Sequence, residues 1–482
     1  MKVDFTQAQH TVVLSDIHLA DAEPPHPHIP LWKKFKSREL FIDSTFRDML
    51  QFVQKEAGPS VELVLNGDIF DFDSVMVLPK HPSFHISWIE KRRGLRSEEE
   101  KSLFKFKQIM NDHKIWVDSI SDFVKNGNRV VFVIGNHDIE LHWPSVQAEF
   151  IDRLGLTEEQ QTRVRFVEWF FISNGDTMIE HGNQYDVYCV CTNPINPLIK
   201  NHNGSHVRLP FGNLAGHFML NGMGLMNPHS ESSYIRSSAW EYLVFYYRYV
   251  MRTQPFLMFT WFWSAMVTLI VSVSEGFRPA MTDPLTIGDR VEGIAAKANA
   301  TPRIAIALRE LHAHPAYYNP FQILRELWLD RAILLVLAFF ISFQFFSFLN
   351  VFIAVSLWWF VIPLALLLPA FIFYSRSVSS DVYKTQKTAF ASIPIVAKIT
   401  GVSRVIHGHT HREDHFRSES VEYLNTGTWS PAYLDVECTK PYGKKCFAWI
   451  KPNPTGTGRV SDLYEWKNSK ANLIEGATSD HR

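Results

Sequence analysis

Three histidines occupy alternate positions late in the sequence, in the segment VIHGHTH at residues 405–411. Successive side chains of a β-strand point to opposite faces, so a strand here would place His407, His409 and His411 on one side. Imidazole is the commonest metal ligand in proteins. The segment therefore predicts either a metal site or histidines that are solvated or satisfied by core partners, and the rest of the chain has to distinguish the two.

Four further segments, VVLSDIH, LVLNGDIFD, VVFVIGNHD and TMIEHGN, also place polar groups directly after an apolar run. With the histidine segment, they offer a set of nitrogen and oxygen ligands: Asp16, His18, Asp68, Asn136, His137, Asp138, His181, His409 and His411. A mixture of imidazole and carboxylate suits Mn, Fe or Zn better than Ca or Mg alone. No thiolate accompanies the set, which argues against a structural zinc site.

The apolar runs predict short strands, and the amphipathic segments between them predict helices. Residues 39–58 have helical spacing and end at Gly58, and residues 113–128 end near Gly127. Strands that alternate with helices indicate an α/β fold. This character covers residues 11–190 and returns from residue 385. Glycines follow the strands at four positions, where the chain is expected to approach an ion or anion closely: 67, 135, 182 and 408.

Composition limits the class of protein. A chain of 482 residues exceeds one ordinary domain, and its net charge of -1 provides no basic field that would attract nucleic acid. Four cysteines in this length do not make a disulfide framework, and all four are expected to be reduced and structural. The first twenty residues contain Asp4 and no long apolar run, so we do not expect a secretory signal and we expect the start of the chain in the cytoplasm.

The ordered motifs D-x-H, G-D-x-x-D, G-N-H-D, H-G and G-H-x-H resemble those of the calcineurin-like metallophosphoesterases. The resemblance extends over residues 10–190 and 385–435. Within that family, LSDIHL, NGDIFDF, GHTHR and NTGTW look most like the branch of UDP-2,3-diacylglucosamine pyrophosphatases of lipid A synthesis and their relatives. One departure is His137, because the bacterial enzymes of that branch often carry Arg there. The resemblance implies an α/β fold, a four-layer α-β-β-α sandwich.

The resemblance also implies two divalent metal ions, for which we expect Mn²⁺, with Fe or Zn as alternatives. The ligands would form one set for each ion with a shared bridge: Asp16, His18 and His411 for the first ion, Asn136, His181 and His409 for the second, and Asp68 between them. Such a pair of cations, about 3.5–4 Å apart, activates water and binds phosphoryl oxygens.

The remaining polar groups receive other roles. By the resemblance, His137 would lie beside the substrate, oriented by Asp71, and would donate a proton to the leaving oxygen or stabilise its charge. The alternative for Asp71 is a helix N-cap. Asp138 is expected to be a local cap or a group behind the ligands, and His407 is expected to be structural.

Two long uncharged stretches, residues 253–274 and 332–375, lie between His181 and His409. A membrane-spanning helix needs about 20 apolar residues, and the second stretch would be roughly 66 Å long as a helix. We expect it to cross a membrane twice, with a turn near Asn350. Because His181 and His409 would bind the same ion, the number of crossings must be even, so the first stretch is expected to lie in the membrane plane or to re-enter. Three alternatives remain: each stretch crosses once, neither crosses and both form a lid on the bilayer, or both belong to a soluble helical core.

Two features near these stretches favour the membrane surface. Trp261 and Trp263 lie at the centre of the first stretch, whereas tryptophan prefers the membrane interface. Residues 303–331 carry apolar side chains at helical spacing among charges, which is typical of a helix along a membrane surface.

These patterns predict three segments: residues 1–250 as the first part of a metallophosphoesterase domain, 251–380 as a hydrophobic helical membrane insertion that acts as a lid, and 381–482 as the second part. The predicted protein is a membrane-bound phosphoester or pyrophosphate hydrolase for a lipid-linked or amphiphilic substrate. The alternatives are an anchored phosphatase or phosphodiesterase for soluble nucleotides or proteins, and a scaffold with an inactive site. The catalytic domain is expected on the cytoplasmic side of an inner or plasma membrane, with the lipid bilayer as a partner and no nucleic acid.

Overall fold

Two β-sheets packed face to face form the centre of the structure. The computed structural model describes the following residues: 3–26, 28–29, 31–201, 204–224, 244, 246–251, 256–281, 283–377 and 385–474. The strands within them are β1 (His10–Leu14), β2 (Val61–Asn66), β3 (Arg129–Val133), β4 (Val164–Val167), β5 (Phe170–Ser173), β6 (Thr177–Glu180), β7 (Leu198–Asn201), β8 (Gly204–Val207), β9 (Arg404–His407), β10 (Glu413–Ser418), β11 (Val421–Thr426), β12 (Cys446–Pro452), β13 (Arg459–Lys467) and β14 (Lys470–Leu473).

The order of the strands brings several carboxyl ends to one edge. One sheet has the order β14-β13-β12-β1-β2-β3-β4, the other has the order β10-β11-β9-β6-β5, and β7 pairs with β8 separately. Strands β1 to β4 run parallel to one another, as do β6, β9 and β11. Parallel strands present their carboxyl ends at the same edge, where open α/β sheets bind ligands.

The core between the sheets is aliphatic. Val13 and Val64 of the seven-stranded sheet pack in one cluster with Ile179, Ile406 and Leu424 of the other sheet, and all five side chains are fully buried. Strand β2 is buried at every position. Strands buried on both faces are rich in apolar residues, and Leu63, Val64 and Leu65 form such a run at the centre of β2 before Asp68.

Helices cover the outer face of each sheet. The helices within the described residues are α1 (Asp43–Ala57), α2 (Glu90–Arg93), α3 (Glu99–Asp112), α4 (Lys114–Lys125), α5 (Pro144–Arg153), α6 (Glu158–Gln161), α7 (Phe211–Ala215), α8 (Asn221–Met223), α9 (Leu257–Gly276), α10 (Ile287–Lys297), α11 (Pro302–Arg309), α12 (Pro320–Glu326), α13 (Leu329–Phe352), α14 (Val361–Ser377) and α15 (Thr385–Thr400). A π-helical segment, Gly216–Leu220, joins α7 to α8.

The two helical layers are distinct. On the seven-stranded sheet, Phe46 of α1, Phe106 of α3, Trp116 of α4 and Phe150 of α5 pack in one cluster with Phe132 of β3. On the five-stranded sheet, α10, α11 and α15 pack against residues of β5, β6, β9 and β11. The layers follow the order helix, sheet, sheet, helix, and the mixed α/β fold fits the domain that the motifs indicated.

Part of the predicted membrane insertion belongs to this sandwich. Ile294 and Ala295 of α10, with Ala305 and Leu308 of α11, are buried in the cluster that covers the five-stranded sheet. The expectation that residues 303–331 lie along a membrane surface is therefore wrong for α11, because its apolar side faces the protein. The other boundaries of the three predicted segments stay predictions.

Helix α9 packs on the domain through a stripe of small and polar residues. Ser264, Thr268, Ser272 and Glu275 are buried, and Glu275 accepts a hydrogen bond of 2.6 Å from the guanidinium of Arg96. The outer side of the helix carries exposed apolar side chains: Met258, Phe259, Phe262, Trp263 and Ile270. This helix is long and apolar enough to span a membrane, but 28% of its most apolar 18-residue stretch is buried inside the protein.

Helices α13 and α14 form an antiparallel hairpin. At its base, the hydroxyl of Tyr374 donates a 2.7 Å hydrogen bond to Asp330, and towards the turn the rings of Phe339 and Phe360 lie 5.0 Å apart. The chain reverses after Phe352, close to the predicted turn at Asn350. Helix α13 also has the length and composition of a membrane span, and only 6% of its most apolar 18-residue stretch is buried.

Candidate metal centre

The predicted ligands meet at the carboxyl edge of both sheets. Each follows a strand directly: Asp16 and His18 follow β1, Asp68 follows β2, Asn136 follows β3, His181 follows β6, and His409 and His411 follow β9. Backbone hydrogen bonds fasten the first two loops together, since the amide of His18 donates to the carbonyl of Asp68 at 2.9 Å. Loops from the two sheets therefore surround a single site.

Most of these ligands have left-handed backbones, a conformation that is uncommon outside glycine. Five of the seven predicted ligands have φ between 52° and 66°: Asp16, His18, Asp68, His409 and His411. Non-glycine residues persist in this region only where the surrounding structure holds them, and such residues cluster at functional sites. The backbone at the edge of the sheets is therefore shaped to aim side chains rather than to continue the strands.

The first group of ligands is Asp16, His18 and His411. Nε2 of His411 lies 3.2 Å from Oδ1 of Asp16 and 3.2 Å from Nε2 of His18. The three ligand atoms lie within 4.8 Å of one another. Asp16 and His18 are buried, so their polar atoms point into a confined space that a divalent cation fits.

The second group contains Asp68, His181 and His409, whose ligand atoms also lie within 4.8 Å of one another. Nε2 of His181 lies 3.1 Å from Oδ2 of Asp68, and the same carboxylate oxygen lies 4.0 Å from Nε2 of His18 in the first group. Asp68 thus lies between the two groups, at the place of a bridging ligand.

Two buried polar atoms at this site are available to coordinate a metal ion. Among the described residues, nothing donates a hydrogen bond to Oδ1 of Asn136, and Nε2 of His181 has the Oδ2 atom of Asp68 at 3.1 Å without the geometry of a hydrogen bond. Nδ1 of His181 is already engaged by the carbonyl of Asn66 at 2.9 Å, which leaves Nε2 for a cation. Buried polar atoms normally find partners, so such a pair beside Asp68 is what a metal site requires.

The spacing of the three histidines has a different cause from the one expected. Strand β9 ends at His407, and His409 and His411 lie in the following loop, so strand alternation does not place them. His407 is buried, and its Nε2 lies 3.0 Å from a carboxylate oxygen of Glu180. The predicted structural role of His407 agrees with this contact, while left-handed backbone conformations turn the other two histidines towards the site.

The glycines of the motifs make room for ligand side chains. A Cβ atom on Gly67 would lie 2.5 Å from the ring of His181, and one on Gly408 would lie 2.5 Å from Oδ2 of Asp16. These glycines were expected to let the chain approach an ion, but the atoms that lie close to them include those of ligand side chains. They let the backbone approach the residues that surround the ion.

His137 lies beside the first group and contacts two carboxylates. Its Nδ1 is 3.1 Å from Oδ2 of Asp73 and 3.5 Å from Oδ1 of Asp71, and its ring centroid lies 5.0 Å from that of His18. The orienting role expected for Asp71 is therefore shared with Asp73, which the sequence analysis did not single out. The only signal for Asp73 was its place two residues after Asp71.

A helical segment from a part of the sequence with weak periodicity holds Asp73. Nδ2 of Asn213 donates to Oδ2 of Asp73 at 2.5 Å and to the carbonyl of Asn136 at 2.9 Å, and Nδ2 of Asn221 donates to the carbonyl of Asp73 at 2.7 Å. Asn213 and Asn221 lie on α7 and α8, and nothing in their sequence context indicates this function.

Two more carboxylates support the ligands. Nε2 of His409 lies 3.0 Å from Oδ2 of Asp186, an arrangement that orients metal-binding histidines and leaves Nδ1 for the cation. Asp138 accepts hydrogen bonds from the amides of Ile69 and Gly135 at 2.8 and 2.6 Å. Asp138 therefore fastens the loops that carry Asp68 and Asn136, in agreement with its expected local role, whereas Asp186 was missed.

The carboxylates determine the charge of the histidines. Burial lowers the pKa of His181, but the charges of Asp68 and Asp16 outweigh it and raise that pKa to about 9. Burial likewise opposes the charged form of His137, and Asp68, Asp71 and Asp73 together raise its pKa well above the usual value. The site concentrates negative charge, which suits cations.

A cleft of about 430 Å³ opens beside His18. Its lining includes the apolar side chains of Ile17, Leu19, Phe35, Phe41 and Ile42. A second cleft of about 330 Å³ is lined by His137, Asp71, Asp73 and Lys33 among others. The site is therefore open to a ligand on one side through largely apolar walls and on the other through charged ones.

Residues 10–221 match the family model of calcineurin-like phosphoesterases. The first half of the chain is therefore similar to a calcineurin-like phosphoesterase domain. Such domains normally use a binuclear divalent metal centre and hydrolyse phosphoesters, and this domain has suitable ligand groups. His409 and His411 lie beyond the matched residues, and the fold brings them to the same site.

Two solved structures are similar to part of this chain. One is vacuolar protein sorting 29 from Cryptosporidium parvum, at 22% identity over 17% of this chain and 41% of that chain, with a TM-score of 0.14. The other is Vps29 complexed with Zn²⁺ from Entamoeba histolytica, at 20% identity over 18% of this chain and 43% of that chain, with a TM-score of 0.14. The similarity thus spans less than half of either structure. No curated protein matches the chain.

Proposed function

We propose that this protein is a membrane-associated, binuclear-metal phosphoesterase that hydrolyses a phosphoester or pyrophosphate bond of an amphiphilic substrate. The observation that carries the proposal is the position of Asp68 between two groups of buried ligands. A shared carboxylate between two sets of imidazole and carboxylate groups is the requirement of a two-metal centre.

The residues that would hold the ions are those of the two groups: Asp16, His18 and His411 for one, Asn136, His181 and His409 for the other, with Asp68 shared. When bound, the ions supply Lewis-acid polarisation of the phosphoryl oxygens and a nucleophile at neutral pH. The mixed imidazole and carboxylate set favours Mn²⁺, with Fe or Zn as alternatives.

His137 has the position of a general acid for the leaving oxygen. Asp71 and Asp73 lie against its Nδ1, and we assign to Nε2 the donation of a proton to the substrate. The raised pKa keeps the ring protonated at neutral pH, which is the form that a general acid needs before the bond breaks. Asp73 keeps this ring in place through its bonds to Asn213 and is a positioning residue.

The membrane association is supported by the helices that interrupt the domain. The α13–α14 hairpin leaves and returns at one end, where Tyr374 and Asp330 meet, so its two crossings would keep His181 and His409 on the same side. Helix α9 packs along the domain through its buried polar stripe, which favours an in-plane position over a third crossing. We place the domain on the cytoplasmic side of an inner or plasma membrane.

An amphiphilic substrate is supported by the apolar cleft beside His18. A head group at the metals and an apolar portion along the partly exposed Phe35 and Phe41 would bury apolar area, at about 25 cal/mol per Å². Within this class, we propose a lipid-linked phosphate or pyrophosphate, as in the UDP-2,3-diacylglucosamine pyrophosphatase branch that the motifs resemble.

Lipids that copurify with the protein offer the test. They are identified by mass spectrometry and then offered back to the protein with Mn²⁺, with soluble nucleotides in a parallel reaction. We expect a phosphorylated lipid that is enriched over the bulk membrane and is consumed faster than any nucleotide. Faster turnover of the nucleotides would replace the lipid proposal with the anchored-enzyme alternative, and no turnover of either, in protein that holds two metal ions, would refute hydrolysis.

A further inference from the structure

A third cleft, separate from the two beside the metal ligands, lies between α2 and α9. It has a volume of about 320 Å³. Its walls combine two arginines with aromatic and small residues: Trp88, Arg92, Arg93, Phe218, Trp263 and Ser264. No predicted ligand of the metal centre lines it, so the proposed hydrolysis does not explain this cleft.

Both arginines are held in place. Nη2 of Arg93 donates to the hydroxyl of Ser264 on α9 at 3.1 Å, and its guanidinium lies so close over Gly222 that a Cβ there would meet Cζ at 2.7 Å. The guanidinium of Arg92 stacks over the ring of Trp88, 4.4 Å from the centroid. Two guanidinium groups therefore face one cleft in ordered positions.

Neither arginine has an acidic partner among the described residues. Arg93 is partly buried, and burial together with the neighbouring positive charge of Arg92 lowers its pKa, with no carboxylate raising it. Arg96, on the same loop, differs because it forms a 2.6 Å ion pair with Glu275 of α9. A partly buried cation beside a second cation is costly unless an anion accompanies it.

The surroundings of the cleft match a membrane surface. Trp88 is 54% exposed and Trp263 is 55% exposed, and the outward face of α9 continues from Trp263 to the exposed side chains of Phe259 and Phe262. Tryptophan concentrates at membrane–water interfaces, and basic residues there attract anionic lipids. The position of Trp263 also explains why tryptophan occurs at the centre of an apolar stretch, since this part of α9 lies at the edge of the domain.

We propose that this cleft binds the phosphate of an anionic membrane lipid. Arginine forms paired, charge-assisted hydrogen bonds with phosphate oxygens, and two guanidinium groups at one cleft offer more donors than a single phosphate can use. The lipid would fasten α9 and the loop of α2 to the bilayer surface. This site recruits and orients the enzyme and takes no part in bond cleavage, so it stands independently of the proposed hydrolysis.

The test compares lipid binding by the full-length protein and two charge-matched double variants. The protein in detergent is incubated with equal amounts of phosphatidylglycerol and phosphatidylcholine, and bound lipids are counted by native mass spectrometry. We expect wild type to bind more phosphatidylglycerol than phosphatidylcholine. In R92Q/R93Q, the ratio of the two bound lipids should fall about fivefold for each arginine removed. R47Q/K125Q, which removes two cations from α1 and α4 outside the cleft, should retain it.

Further measurements separate folding and the source of the anion. The single variant R92Q changes an exposed side chain. On a logarithmic scale, it should lose about half of the preference for phosphatidylglycerol that the double variant loses, while its unfolding temperature stays the same. Equal phosphatidylglycerol binding by wild type and R92Q/R93Q would overturn the proposal. Competition by inorganic phosphate or glycerol phosphate at the concentration of the lipid would overturn the assignment to a lipid, because the site would then serve soluble anions.

Discussion

The Nε2 atoms of His18 and His411 lie 3.2 Å apart, although the two residues are 393 positions apart in the chain. Each nitrogen offers either a lone pair or a proton, so two neutral rings at this distance need a proton or a cation between them. Asp16 lies against His411 and favours positive charge at this point. The contact brings loops from the two sheets together at the first group of ligands, where a bound cation would accept the lone pairs of both nitrogens.

Asp68→Ala should remove activity and lower the metal content from two ions per chain. Asp68 is the residue that both ligand groups approach, so its loss weakens both ions. Metal analysis of the purified variant and a phosphodiester assay measure the two effects. Asp122→Ala, on an exposed part of α4, is the control. Full activity in Asp68→Ala would end the binuclear interpretation.

His137→Ala should keep both metal ions and lose turnover by about 10²–10⁴-fold, the usual contribution of a general acid. The side chain lies beside the ligands but its Nδ1 faces Asp71 and Asp73. Metal analysis with kcat at saturating substrate separates the two properties. A variant that has lost metal ions instead would show that His137 is a ligand.

Asp73→Asn should move the alkaline limb of the pH–rate profile to lower pH. Burial opposes the charged form of His137, and the carboxylates of Asp68, Asp71 and Asp73 outweigh it and raise that pKa. Removing one negative charge lowers the pKa of His137, so the protonated acid is lost at a lower pH than in wild type. The profile of kcat is measured for Asp73→Asn and Asp71→Asn with Asp122→Asn as the control. An unmoved limb in both site variants would contradict the role of His137 as the acid.

Gly408→Ala should disturb Asp16 and lower both stability and metal content. The added Cβ would lie 2.5 Å from Oδ2 of Asp16, and overpacking of this kind costs about 1–3 kcal/mol. Gly288→Ala is the matched control, because no heavy atom lies within 4 Å of its added Cβ and alanine favours a helix by about 0.5–1 kcal/mol. Thermal unfolding and metal analysis of both variants decide the matter. Equal behaviour of the two variants would show that Asp16 has room to move.

Replacing residues 332–375 with a short glycine–serine linker should release the protein from membranes and keep its fold. The base of the hairpin is closed by Tyr374 and Asp330, so a short connection can replace the helices. Turnover of a small chromogenic phosphodiester should persist, whereas turnover of long-chain amphiphiles should fall because the enzyme no longer shares the bilayer with them. If amphiphile turnover is unchanged, the hairpin is only an anchor.

The strands and their order of motifs were predictable because buried parallel strands are uninterrupted apolar runs. Strand β3 illustrates this, since Val130, Val131, Phe132 and Val133 are all buried and Asn136 follows three residues later. The predicted strand through residues 405–411 was wrong beyond His407 because nothing in a single sequence reveals a left-handed backbone at His409 and His411. Alternation with period two looks the same in a strand and in this loop.

The supporting residues could not be predicted for a different reason. Asp73, Asp186 and Asn213 act only through long-range contacts with His137, His409 and Asp73 respectively. Their positions depend on how the chain packs after the strands have formed. The predicted position of α11 along a membrane surface was wrong for a related reason, because the apolar side of α11 covers a sheet and its composition alone also suits a lipid surface.

The left-handed residues at the edge of the sheets set activity and stability against each other. Asp16, His18, Asp68, His409 and His411 each hold a backbone conformation that glycine would adopt more easily. Each such position costs about 1–3 kcal/mol, against a net stability of about 5–15 kcal/mol for a whole domain. Aspartate and histidine tolerate this region better than most residues, so the side chains that bind metals are also those for which the conformation costs least. Selection for thermal stability alone would favour glycine at these five positions and would erase the centre, whereas selection for hydrolysis retains a chain that is less stable than its fold allows.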